Sequence, residues 1–158
     1  MLAALFAGCG RSGPDVQMVL GKATLDDQPL AGATVTFSPV TNGDGLAAIG
    51  ITDEDGSFRL TAVRGGPPQR GTTIGDYAVS FMKVTHDIPG KPKEVPPPTG
   101  PLPVFHLVPE AYENDATSGF RATVKRGLNQ GPEFAFDLRS DFRREAAGSD
   151  ASARRAAP

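Results

Sequence analysis

The chain has 158 residues, enough for one domain with tails and a modest core but short for two. Its 19 Gly, 15 Pro and no Trp punctuate short elements rather than build long helices, which favours an all-β design. Sixteen basic residues against eighteen acidic ones leave a formal charge of -2, a near balance that supplies no phosphate-attracting field unless charge is segregated locally, so nucleic acid is not an expected partner.

The first chemical landmark is Cys9, the single cysteine, which removes an internal disulfide and any Cys-rich zinc site. It closes the apolar run "LAALFAGC", in which Ala7 and Gly8 are small, and the polar, turn-forming "GRSGPD" follows it. The stretch resembles the lipobox of a bacterial lipoprotein signal peptide. The resemblance implies that residues 1–9 form the signal peptide with its lipobox, that Cys9 is the lipidated new N-terminus, and that residues 10–17 are a spacer. Leu2 to Ala7 is shorter than the roughly 7 to 15 residues of an h-region, and no Lys or Arg follows Met1. A signal truncated at its start, completed by a start codon further upstream, is therefore expected. No other stretch approaches the ~18 apolar residues that span a bilayer, so contact with a membrane is expected through this end.

From Val19 onward the hydrophobic period is two. Val19 to Leu25 reads as a strand with Val19, Ala23 and Leu25 inward, and "DDQPLAG" reads as a hairpin turn. In "GATVTF" the inward residues are Ala33, Val35 and Phe37. Ala47 to Thr52 reads as a strand in register through Ile49 and Ile51, and "DEDG" turns the chain into "SFRLTA", with Phe58, Leu60 and Ala62 inward. "RGGPPQRGTTIG" is a longer connection. "DYAVSF" then places Tyr77, Val79 and Phe81 inward. Residues 87–104, "DIPGKPKEVPPPTGPLPV", form an exposed proline-rich loop, because proline lacks the donor an inner strand needs. "PEAYEN" fits a single helical turn with Pro109 at its first position. "FRATVK" and "EFAFDL" supply the last strands, with Phe120, Ala122, Val124, Phe134, Phe136 and Leu138 inward. About seven strands over residues 18–139 predict a two-layer sandwich whose interior holds Val35, Phe37, Phe58, Leu60, Val79, Phe81, Val124, Phe134 and Phe136. Residues 140–158 read as a disordered tail, since Asp, Glu, Ser and Ala interrupt its arginines.

"TDEDGSF" is the densest group of candidate ligands. A calcium loop of EF-hand type starting at Asp53 needs Gly at its sixth position and Glu at its twelfth; here Gly56 is fourth, Phe58 sixth and Arg64 twelfth. Asp53, Asp55 and Gly56 are therefore read as turn formers: short carboxylates accept local backbone N–H groups, and glycine supplies a positive φ. The competing reading is a weak calcium site sharing Asp26, Asp27 or Asp44. His86 and His106 flank the proline loop and could meet, with Asp87, around a metal, although a zinc site wants three or four defined ligands. No hydrolase elbow, zincin helix or phosphate loop occurs. The reading assigns no catalytic residue, no metal and no cofactor, and it treats the phenylalanines as core rather than a stacking platform.

In order, "LGKATLDDQPLAGATVTFSP", "GITDEDGSFRL" and "GDYAVSF" resemble the carboxypeptidase regulatory-like domain, a transthyretin-like, immunoglobulin-like antiparallel β-sandwich. "LVPEAYENDATSGFRATVKRG" followed by "EFAFDL" resembles the ending of small bacterial lipoproteins that carry this domain. The resemblance covers about Val19 to Leu138. It implies a non-catalytic accessory or binding module. The expectation is a lipid-anchored cell-envelope module facing the periplasm or exterior, with the membrane as one partner and an envelope protein or glycan as another; the oligomeric state stays open. The alternative is a periplasmic hydrolase accessory, or a metal-dependent enzyme or carrier using His86, His106 or the acidic turns. Convergence of acids and histidines in one pocket favours the alternative, and dispersal favours the module.

Overall fold

The computed structural model describes residues 14–41, 45–63, 67–87 and 103–142. Within them the alternation of apolar and polar side chains produces short strands, and Gly, Pro and Asp end them. In chain order these are β1 (Val16–Gln17), β2 (Leu20–Leu25), β3 (Gln28–Pro29), β4 (Thr34–Pro39), β5 (Ala48–Ile51), β6 (Ser57–Arg59) and β7 (Thr61–Ala62). There follow β8 (Gln69–Arg70), β9 (Thr72–Thr73), β10 (Gly75–Met82), β11 (Val84–Thr85), β12 (Phe105–His106), β13 (Phe120–Val124) and β14 (Ala135–Leu138). Glu110–Tyr112 and Pro132–Phe134 each make one 3-10 turn.

Two sheets face each other. The first runs β13-β10-β4-β5-β7-β8 and is antiparallel throughout. The second is centred on β2, with β14 along one edge and β3 and β6 in succession along the other. β14 pairs with β2 in parallel, unlike the antiparallel ladders around it. Two small ribbons, β1 with β9 and β11 with β12, complete the pairing.

The nine residues expected inside are all buried. Phe136 is the hub: its ring lies 5.3 Å from Phe81, 5.4 Å from Phe120, and 6.2 Å from both Phe37 and Phe58. Tilted and edge-on contacts of this kind add to the stabilisation from burial, and each buried aromatic contributes on the order of 2 to 3 kcal/mol through burial alone. Because Phe136 comes from one sheet and Phe37 and Phe81 from the other, this cluster holds the layers together.

The structure differs from the sequence expectation in several places. There are more strands than seven, partly because "SFRLTA" changes sheets: Ser57–Arg59 pairs with β2, whereas Thr61–Ala62 pairs with β5. Leu60 makes the crossing, donating its N–H to Val19 O and accepting from Gly71 N–H. Ile49 and Ile51 face outward, and Ala48 and Gly50 face in. The reason is backbone proximity: a Cβ on Gly50 would stand 2.8 Å from the Arg59 carbonyl oxygen, so only glycine fits inward there. The connection 64–75 contains β8 and β9, whose Thr72 hydroxyl donates to Leu46 O and whose Thr72 and Thr73 hydroxyls both meet the Tyr77 hydroxyl. Phe134 is buried from a 3-10 turn rather than from the strand, which begins at Ala135. The ordered unit also exceeds residues 18–139. Val16 and Gln17 of the expected spacer form β1, and Phe142 of the expected tail stacks on Tyr112 at 4.4 Å.

Candidate binding surface

The turn after β5 is closed by its own backbone and acids. Asp53 N–H donates to Ser57 O at 2.9 Å, Gly56 N–H donates to Asp53 O at 3.1 Å, and Ser57 N–H reaches the carboxylates of Asp53 at 2.8 Å and Asp55 at 3.3 Å. Gly56 has φ 79° and lies so close to the Ala23 carbonyl that a side chain has no room, filling the gap that β3 and β6 leave along β2. A hydrogen bond between the two carboxyls raises Asp53 and lowers Asp55 from their ordinary values. Both acids are directed at the chain rather than at a ligand.

The first hairpin turn is equally self-contained. Asp26 and Asp27 take φ 50° and 65°, the two left-handed positions of a type I′ turn, which aspartate tolerates better than most residues. Arg139 grips Asp27 at 2.9 and 3.3 Å, and Asp26 accepts from Ser140 N–H; hydrogen bonding from Ser140, by its side chain first and its backbone second, holds the Asp26 carboxyl below the usual range. These acids are therefore engaged by the C-terminal segment and do not join Asp53 and Asp55; Asp44 lies outside the described residues.

The histidines are not brought together around a shared ligand. His86 Nδ1 meets Pro103 O at 3.2 Å, while His106 Nδ1 lies 2.7 Å from Glu113 and its Nε2 3.8 Å from Glu110. The Glu113 hydrogen bond raises the imidazole above its ordinary value. His106 thus ties the β11/β12 ribbon to the turn at Glu110–Tyr112. Among the described residues, no group of three or more His, Cys, Asp or Glu is placed to hold a metal ion. Cys9 lies outside the described residues, as does nearly all of the proline-rich loop.

Where the chain changes sheets, a surface feature appears that neither acids nor histidines predicted. An open trough of about 670 Å³ lies between Leu20, Lys22, Ile51, Asp53 and Arg59. A second hollow of about 510 Å³ continues it past Ile49, Thr61 and Val63, sharing Ile51 and Arg59 with the first. Ile51 is 69% exposed, and Val63 and Ile49 are exposed beside it. Arg59 makes no ion pair or side-chain hydrogen bond among the described residues, so its guanidinium is available beside this apolar line. The surface was hidden in the sequence because the period-two register of β5 was read in the opposite sense. The signal that corrects it is Gly50, which fits only the crowded inward side.

No family model, curated protein or solved structure matches this chain. The class that fold and surface define is therefore an all-β sandwich with a lateral, partly apolar trough. No helix of the described residues is long and apolar enough to cross a membrane.

Proposed function

We propose that this chain is a lipid-anchored, non-catalytic cell-envelope module of the carboxypeptidase regulatory-like kind, attached through Cys9 and binding a protein or glycan along the Ile49–Ile51–Arg59 trough. The observation that carries the binding reading is that trough. Exposed apolar side chains in line are costly to leave in water, and a free guanidinium beside them supplies the polar anchor typical of recognition surfaces. His86, His106 and the acidic turns lie towards one end of the sandwich but are each engaged by their own neighbours rather than converging on a shared pocket, which supports a binder over a metal-dependent enzyme or carrier. Anchoring confines such a surface to the membrane plane, where a modest affinity acts at high local concentration.

The test is site-specific photocrosslinking in the native envelope. A photoreactive side chain at Ile51 is expected to give a discrete adduct that Arg59→Glu removes, while the same group at Arg121, on β13 at the opposite edge of the first sheet, gives none. Equal labelling from both positions would remove the trough from the proposal.

A further inference from the structure

The two ends of the sandwich differ in chemistry. β2, β5 and β10 run in the same direction, so their finishing ends lie together. The turns carrying Asp26, Asp27, Asp53, Glu54, Asp55 and Glu110 all lie at the end where β2, β5 and β10 respectively finish. The opposite end holds the start of β10, the finish of β13 and the entry of the chain at Pro14. Exposed apolar side chains stand at both ends, Met82, Val84 and Leu107 at the acidic one, but here they accompany Lys125 and Arg126. Leu128 is 56% exposed, and Met18, Val40 and Ile74 are exposed around it. Lys125 and Arg126 precede Leu128 with only Gly127 between, and Arg126 is 81% exposed with only a loose 3.6 Å pairing to the exposed Asp15. Two further acids lie towards this end: Asp76, which accepts a hydrogen bond from Thr123, and Glu133, exposed on the turn before β14.

The loop that presents Leu128 is rigid for a stated reason. Asn129 is 4% exposed; its side chain accepts from Lys125 N–H at 2.8 Å and donates to Lys125 O at 2.8 Å and Gly127 O at 3.1 Å. Its backbone N–H bonds Met18 O, and Gln17 Oε1 accepts from Gly127 N–H. A loop fixed this firmly has no need to leave a leucine in water for lack of structure. Its cations and leucine form a small amphipathic tip.

We infer that this tip, Lys125 to Leu128 with Met18 and Ile74 beside it, docks the sandwich onto the anionic surface of the bilayer that holds its anchor. The inference rests on the Cys9 lipidation reading. Five residue steps separate Cys9 from Pro14, and they reach at most about 18 Å. A lipid on Cys9 therefore keeps this end, and not the acidic one, against the headgroups. Charge agrees with geometry: lysine and arginine are attracted to anionic lipid, each by about fivefold, the equivalent of about 1 kcal/mol, while the acidic end is repelled. Leu128 enters the interfacial layer as the apolar element. Docking stands the acidic turns outward and leaves the trough along the side, parallel to the membrane normal.

The chain lends itself to a direct test, because it has one cysteine and no tryptophan. The full chain is coupled through Cys9 to maleimide-bearing lipid in phosphatidylethanolamine–phosphatidylglycerol vesicles that also contain bromine-labelled acyl chains. Leu128→Trp is expected to show a blue-shifted emission strongly quenched by bromine, and Glu54→Trp an unquenched one. Lys125→Glu with Arg126→Glu should cut the Leu128→Trp quenching several-fold, as should phosphatidylcholine vesicles or high salt. Equal quenching at the two reporters overturns docking. A blue shift without quenching, present only on vesicles crowded with protein, assigns the patch to a second copy and overturns it too. Maleimide coupling bypasses cellular lipidation, so the two readings fail separately. An unmodified Cys9 in cell-derived protein, found by mass spectrometry, removes the anchor without changing the vesicle result.

Discussion

At the acidic end of the sandwich, the turn Asp26–Asp27 is held from outside, by the exposed Arg139 and the backbone of Ser140, and the β11/β12 ribbon is held by His106 against the half-buried Glu113. At the end where the chain enters, the loop Lys125–Asn129 is held from inside, by a buried amide with every hydrogen-bonding group satisfied. The first kind of fastening is screened by salt and sensitive to pH, and its members contribute little individually. The second carries no charge to screen, and it is costly to break, since removing the buried amide takes three hydrogen bonds from the Lys125 and Gly127 backbone at once. A module that must present one end to a charged surface benefits from having that end fixed by uncharged bonds.

Both ends hang on the same aromatic hub, so the largest effect should erase the difference between them. Phe136→Ala removes a ring that touches four others across both sheets. The expected cost is on the order of 3 to 5 kcal/mol, read by urea unfolding. Hydrogen exchange should show the amides of Leu20 and Asp26, near opposite ends of β2, losing protection together. Loss at one end alone would mean that the ends fold as separate units.

A smaller effect should sharpen the difference. Asn129→Ala is expected to cost about 1 to 3 kcal/mol, because a buried amide that bonds the Lys125 and Gly127 backbone three times is lost together with the shape of the loop. Arg139→Ala, at an exposed pair, should cost less than about 1 kcal/mol, and less still in high salt. The reverse order would show that the acidic end is the better fastened.

How far the sequence discloses this design follows from what each feature depends on. Phe37, Phe81 and Phe136 are legible because period-two burial is a local property of strands that face a core. The orientation of β5 is not, since Ile49 and Ile51 outscore Ala48 and Gly50 in hydrophobicity, and only the approach of the Arg59 backbone fixes which side is inside. The sheet change at Leu60 depends on which strand lies alongside, information that a continuous alternating run does not carry. β8 and β9 are polar and short, and hydrogen bonds from Thr72 and Thr73 hold that segment rather than a hydrophobic pattern. The turn residues Asp53, Asp55 and Gly56 were visible because their chemistry is local, whereas the loop at Leu128 depends on Asn129 reaching partners near Met18, over a hundred residues away in sequence.

The smallest effect concerns pH and belongs to the acidic end alone. His106 lies between Glu113 and Glu110, and the hydrogen bond to Glu113 raises its pKa above the ordinary 6.5. A histidine whose folded value exceeds its unfolded one contributes stability that is complete below pH 6.5 and fades as the pH rises through the folded value. The ribbon should therefore be fastened most firmly in mild acid. Its high exposure keeps the gain small, because water and salt screen the pair. The measurement is the difference in melting temperature between the native chain and His106→Gln across neutral pH, paired with an NMR titration of the imidazole. The difference should favour the native chain at acidic pH and shrink towards alkaline pH. The titration midpoint should lie above that of the same histidine in the urea-unfolded chain and fall in Glu113→Gln. A pH-independent difference would mean that His106 acts through packing rather than charge, and would leave the acidic end fastened by Arg139 and Ser140 alone. Met18 and Leu128 serve as internal controls, since both histidines belong to the other end: their amide signals should stay unchanged over the same range.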